Sequence, residues 1–364
     1  MRQLQLLFAF TAVAALTACG GGSDASPAPA PTSTPTSAPP PATPTPAPPA
    51  TPTPAPTPTV GTNGTLQTSV PAATYDARRK AAYDELNAAR SGAGAGLLAQ
   101  SAQLDTSASS HAAYLSANGF NSADSAHDET AGLTDFTGTD PFKRMQSAGY
   151  GFSFASEVIG DIGSTSSTSD CVGDLLDTIY HAADMLSRET DVGIGFGTGA
   201  AAGMCTMDLG STLAHASAQI PPSGAIIAYP YGGATVASGT FHVANESPRA
   251  PVALLPNSTA GTPILVGLRN QDYIKGKAAT ITQFSLTDSA GNLVPSVILA
   301  DSSVTGTGVN TDPGLDGGVV SGFAVLVPRS PLPAGSYTVT LHAAVTGGRA
   351  LVLTTWTFSV ASQQ

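Results

Sequence analysis

Residues 27–58 hold 15 of the chain's 29 prolines, set among Ala and Thr, and residues 25–75 contain no Asp, Glu, Lys or Arg. A stretch so poor in large apolar side chains cannot bury enough surface to offset the entropy of ordering it, and proline steers it into extended polyproline II. At ~3.1 Å per residue it reaches on the order of 100 Å. This run divides the 364-residue chain. Whatever folds does so in the 304 residues after residue 60, enough for two compact cores. Residues 76–208 carry 7 Lys/Arg against 18 Asp/Glu, whereas residues 209–364 carry 6 of each, so the whole net charge of −11 sits in the first folded region. Phosphate recognition needs a basic surface, so no nucleic acid is expected as a partner, and nor is peripheral attraction to anionic lipid. An acidic cleft suits a cation or a basic ligand.

Met1-Arg2 precedes an apolar stretch over residues 4–16, too short to span a bilayer, and Leu16-Thr17-Ala18-Cys19 resembles a bacterial lipobox. Residues 1–18 are expected to be a lipoprotein signal peptide, and Cys19 the lipidated N-terminus that ties the exported protein to a membrane. Residues 19–65 then form a disordered Gly/Ser and Pro/Ala/Thr-rich stalk. No Asp directly follows Cys19, which favours the bacterial outer membrane, periplasmic or surface-facing. Cys171 and Cys205 remain as an even pair in an oxidising compartment, and a disulfide between them is expected.

Tyr75, Ala82, Leu86 and Ala89 fall at helical spacing and predict a helix over residues 74–90, ended by Gly92 and Gly94. Residues 101–118 predict a second, with Leu104, Ala108, His111 and Leu115 on one stripe and Gly119 past its end. Asp140-Pro141 opens a third, and Asp170 caps a fourth over residues 171–186. Residues 192–196 and 204–209 read as short strands, so helices flank a small sheet. Along the fourth helix Val172, Leu175, Leu176, Ile179, Ala183 and Leu186 make a core stripe. His181 lies opposite that stripe beside Asp174, Asp177 and Asp184, facing water or a cleft.

Leu86-Asn87-x-x-Arg90, Ala108-x-x-His111-Ala112-x-Tyr114-Leu115, His127-Asp128-Glu129, Phe136-Thr137-Gly138, Ala148-Gly149-Tyr150, Ser156-Glu157-Val158-Ile159, Tyr180-His181, Val192-Gly193-Ile194-Gly195 and Asp208-Leu209-Gly210 follow in order. The set resembles a bacterial CAP (SCP) domain, of the superfamily of cysteine-rich secretory proteins, venom antigen 5 and plant pathogenesis-related proteins, over about residues 70–213. The resemblance implies a three-layer α/β/α sandwich. It also implies a cleft of two histidines and two acidic residues that in some members holds a divalent metal such as zinc. His127 resembles the first histidine, Glu157 the first glutamate and His181 the second histidine. The second glutamate has no clear match; Asp177, one turn before His181, stands in. Ile179 replaces the usual proline, and Ala182 the usual arginine.

Two imidazoles and a carboxylate can hold zinc with a position open for water, or act as general bases, or merely tie loops together. No His-Glu-x-x-His motif, Gly-x-Ser-x-Gly elbow or phosphate-binding loop is present, so His127, Glu157 and His181 stand only as catalytic candidates. His111 sits on an apolar stripe and is expected to be a packed structural residue. His215, His242 and His342 fall outside any constellation.

Past residue 221 the pattern changes to eight short β-branched and aromatic runs: 225–229, 240–243, 264–266, 280–286, 297–299, 323–327, 337–341 and 356–360. Turn residues such as Asp288-Ser289-Ala290-Gly291-Asn292 separate them, which predicts a β-sandwich. The segment 331–337, with Trp356-Thr357-Phe358, resembles bacterial Ig-like domains. Residues 310–317 are rich in oxygen ligands but lack calcium-loop spacing and read as a surface turn.

The expected fold is an α/β/α CAP sandwich over residues 66–215 and a separate all-β Ig-like sandwich over residues 220–364, carried on the Pro-rich stalk. The leading functional expectation is an exported, lipid-anchored protein whose acidic His/Glu cleft, with His127, Glu157, His181 and Asp177, binds a divalent metal or a small ligand. A hydrolase acting on peptide or cell-wall material through that cleft is the alternative, and a structural surface protein without an active cleft is the third.

Overall fold

The computed structural model describes residues 66–119, 125–161, 170–199, 202–215, 219–246, 248–272, 279–316, 320–345 and 350–362. The expected signal peptide, Cys19 and the Pro-rich run lie outside these residues. The first region runs α1 (Ala77–Ala93), β1 (Ala99–Gln100), α2 (Ala102–Asn118), α3 (Pro141–Ser147), β2 (Phe154–Asp161), α4 (Asp170–Leu176), α5 (Tyr180–Met185), β3 (Asp191–Phe196) and β4 (Met204–Ser211). Local chemistry starts and stops these helices. The Asp76 carboxylate accepts from the Arg78 and Arg79 amides, and Gly94 closes α1 at φ +83°, a left-handed conformation that favours glycine. The Asp140 side chain accepts from the Lys143 amide one residue before Pro141, as the sequence pattern predicts.

The sheet order is β1-β3-β4-β2, with β1 parallel to β3 and the other pairs antiparallel. Side chains alternate across it. Val158, Val192, Ile194, Met207 and Leu209 pack in one core with Leu86, Val172, Leu175, Ile179 and Met185 of α1, α4 and α5. The opposite face takes α2, which approaches where β3 has no side chains. A Cβ built on Gly193 would sit 1.9 Å from the Leu104 carbonyl carbon, and one on Gly195 would sit 2.3 Å from the Ala108 oxygen. The Cys171–Cys205 disulfide, with Cα atoms 6.5 Å apart, ties α4 to β4.

The fourth expected helix is two helices. In a continuous helix the Ile179 N–H would bond the Leu175 carbonyl. Here Thr178 Oγ donates to that carbonyl at 2.7 Å, and the Ile179 N–H instead donates to Glu246 Oε2 at 3.0 Å. Both partners of the helical bond are taken by side chains, so the chain turns at residues 177–179 and restarts as α5.

The second region contains β5 (Ile227–Tyr229), β6 (Thr235–Val236), β7 (Thr240–Phe241), β8 (Ala260–Gly261), β9 (Ile264–Gly267), β10 (Ala279–Thr287), β11 (Ser296–Ala300), β12 (Val304–Gly306), β13 (Val309–Thr311), β14 (Phe323–Pro328), β15 (Gly335–Val345) and β16 (Ala350–Val360). Two five-stranded sheets, β12-β10-β15-β16-β6 and β13-β11-β14-β9-β5, form the sandwich, with a β7-β8 ribbon beside them. Each of the eight sequence runs coincides with a strand. Strands β6, β8, β12 and β13, of two or three residues each, carry too little pattern to be seen.

The second of these sheets is buried on both faces. Ile264, Val266, Ile298, Ala300, Ala324 and Leu326 pack towards the other sheet, whereas the alternate residues Leu265, Val297, Leu299, Phe323, Val325 and Val327 join the core that contains α1, α4 and α5. The two regions therefore differ in architecture yet share one hydrophobic core. Gln219, between them, is tied down: its Oε1 accepts from the Gln67 amide at 3.0 Å and its Nε2 donates to the Leu97 carbonyl at 2.7 Å.

Candidate functional site

Strand β2 lies at the edge of the first sheet and carries Glu157 on the α2 face. Glu157 is fully buried there, and Arg144 Nη2 of α3 donates to its two oxygens at 2.8 and 2.7 Å. Arg144, itself buried, donates from Nη1 to the His127 carbonyl at 2.8 Å. Behind it, the His111 ring lies between two oxygens, Glu129 Oε1 2.9 Å from Nδ1 and the Ala126 carbonyl 3.0 Å from Nε2. Glu129 also accepts from the Thr137 and Gly138 amides. Burial would raise its pKa, but the His111 bond, these amides and Arg144 outweigh burial and hold it low.

Asp208 lies directly opposite Glu157 in the β2–β4 register. Two carboxylates so placed repel each other. Burial opposes ionisation of Glu157, yet the His127 hydrogen bond and the Arg144 and His111 charges win and keep it ionised. Burial and the Glu157 charge push Asp208 well above the usual carboxylate range, so it carries the proton. His111 is thus the packed, bonded residue its stripe predicts.

His127 stands at the open edge of β2. Its Nδ1–H donates to Glu157 Oε1 at 2.9 Å, which leaves Nε2 for the space outside. His127 borders both the groove that Glu157 lines and a cavity of about 620 Å³ that it shares with His181, Asp174, Asp177, His242 and Glu246. The described lining of this cavity contains three carboxylates, three imidazoles and no Lys or Arg. Burial, then the neighbouring Asp174 charge, raises the Asp177 carboxyl to about 7. His181 Nδ1 lies 3.3 Å from Thr178 Oγ and 3.4 Å from Glu246 Oε1.

The four expected ligands are therefore divided. His127, His181 and Asp177 border one cavity. Glu157 sits behind His127 and borders instead a second, more open groove of about 590 Å³. Alternation along β2 explains the split: Val158 faces α4 and α5, so Glu157 faces away from them. The carboxylate that meets His181 is Glu246, not Asp177. A metal cage does not fit this arrangement, because Glu157 already neutralises a guanidinium. Among the described residues no three His, Cys, Asp or Glu side chains gather as a metal site.

Three contributors escaped sequence reasoning. Glu246 and His242 come from the second region, 65 and 61 residues beyond His181, and no local pattern marks them. Arg144 carries a visible clue, a charged residue on a short helix next to the apolar Met145, both buried. The second region also grips α5 directly, since Tyr180 donates to Asp312 Oδ2 at 2.9 Å. Asp312 belongs to the segment expected to be a free surface turn, and this bond makes it a brace for the helix that carries His181.

Residues 83–209 match the model of the CAP, cysteine-rich secretory protein, family, and the first folded region is a CAP domain. No curated protein matches the chain. Two solved structures of PcoC, a copper resistance protein from Escherichia coli, one of them the selenomethionine form, align at 18% identity and a TM-score of 0.21. They cover 37% of this chain and 95% and 93% of their own. Likeness at that level sets neither fold nor ligand.

Proposed function

Taking the CAP domain as the premise, we propose that this chain is an exported, lipid-anchored binding protein whose cleft takes up a small cationic ligand. The observation that carries the reading is the cavity of about 620 Å³, whose described lining is acidic and imidazole-rich with no basic side chain. Its volume suits a small molecule, and its place between two folded regions is where such sites commonly form. Export and anchoring rest on Leu16-Thr17-Ala18-Cys19 and on the Pro-rich stalk. Calorimetry on the full chain carrying Cys19→Ser tests the cleft: small organic cations should bind and size-matched anions should not. Equal binding of both, or of neither, removes the reading. Membrane fractionation tests the address, since Cys19→Ser should move the processed protein to the soluble fraction.

One observation favours a second reading, hydrolysis. Glu157 orients His127 and Arg144 fixes Glu157, an arrangement that suits a general base acting through Nε2. Turnover of peptide or cell-wall fragments, lost in His127→Ala while ligand binding persists, would establish it.

A further inference from the structure

We infer that the β-rich region completes the cleft, and that Glu246, reaching in from it, anchors the ammonium group of a primary amine. The inference rests on the cleft reading above and specifies its ligand. The Glu246 side chain is wholly buried. Its Oε2 accepts the Ile179 N–H, while its Oε1, on the same carboxylate, has no hydrogen-bond partner. His181 Nδ1 lies at ion-pair distance from that oxygen, 3.4 Å, without making a hydrogen bond to it. Thr178 Oγ uses its own proton on the Leu175 carbonyl, so towards His181 Nδ1, 3.3 Å away, it can only accept.

A buried carboxylate oxygen without a donor is costly, and a cationic donor is what relieves it. An ammonium offers three N–H donors, and Glu246 and the Asp177 carboxylate line the same cavity to receive them. A guanidinium fits less well, because its fork needs both oxygens of one carboxylate and Glu246 has only one free. Leu175, Ile159 and Phe241 line the same cavity and supply apolar surface for a hydrocarbon body.

Hexylammonium is the probe, with the full chain carrying Cys19→Ser and calorimetry as the assay. It should bind at least about tenfold tighter than hexanol or hexanoate. Glu246→Gln keeps an oxygen for the Ile179 N–H but removes the charge. It should weaken hexylammonium by about tenfold or more, while the unliganded protein melts no lower than the wild type. If Glu246→Gln binds hexylammonium like the wild type while Asp177→Asn weakens it, the cleft reading stands and the Glu246 anchor is wrong. If no small cation binds the wild type, both fall. Should Glu246→Gln fail to fold, hexyltrimethylammonium decides on the wild type, since it has the same charge and body but no N–H donor. A preference of at least about tenfold for the primary amine supports the anchor, and equal affinity overturns it.

Discussion

Asp177→Asn separates the charge of the cleft from its shape. Asp177 follows α4, with Asp174 and Tyr229 as charged or titratable neighbours. Burial first, and the Asp174 charge second, raise its pKa from the usual 3.8 to about 7. The folded-state pKa lies above the unfolded one, so between about pH 4 and 7 the native state holds a proton that the unfolded state has released. Stability falls as pH rises through that window and levels off above about 7. Roughly three pH units at about 1.4 kcal/mol each set a ceiling of about 4 kcal/mol. The side chain lines a water-accessible cavity, so about half of that, near 2 kcal/mol, is expected. Asparagine has nearly the same shape and no charge to desolvate. At pH 8 the variant should therefore melt about 4 °C above the wild type, at roughly 2 °C per kcal/mol for a folded region of this size, and at pH 4 the two should coincide. Scanning calorimetry of the Cys19→Ser chain with and without Asp177→Asn, at pH 4, 6 and 8, measures the difference. A gain of the same size at pH 4 and pH 8 would refute the reasoning, because it would trace to the amide and not to the lost charge.

Arg144→Met leaves Glu157 buried beside Asp208 without its cation, and urea unfolding should show a loss of about 3–5 kcal/mol; a loss below about 1 kcal/mol would mean that the Arg144–Glu157 pair is not buried as described. Gly193→Ala places a methyl group 1.9 Å from the α2 backbone and should cost about 3 kcal/mol by thermal unfolding, whereas an alanine at Gly151, where a Cβ meets nothing within 4 Å, should change little. Replacing Cys171 and Cys205 together by alanine opens the loop between cysteines 34 positions apart, with an expected loss of about 2–4 kcal/mol by the same measurement.

Much of the architecture was legible in the chain before any tertiary structure. Residues 264–266, 297–299 and 323–327 are continuous apolar runs, the mark of strands covered on both faces, and they build the sheet that lies between the CAP helices and the outer sheet. Residues 337–341 alternate, with Tyr337, Val339 and Leu341 buried and Thr338 and Thr340 half-buried between them, as befits a strand of that outer sheet. The CAP motifs placed His127, Glu157 and His181 in one neighbourhood without their orientations.

Orientation and partnership were decided by the fold. In a continuous helix the Ile179 N–H would bond the carbonyl four residues back, yet it bonds a carboxylate 67 residues away. That exchange is possible only once the second region has docked, and it breaks the helix, turns His181 towards the cavity and delivers Glu246. Glu157 faces α2 and not α5 because the alternation of an edge strand is fixed by which neighbour it pairs with, and the residues around Glu157 do not encode that neighbour. Local periodicity specifies which face of an element is apolar. The acceptor that a buried N–H finds, and the charge that a buried carboxylate meets, depend on elements remote in sequence, and only tertiary packing chooses among them.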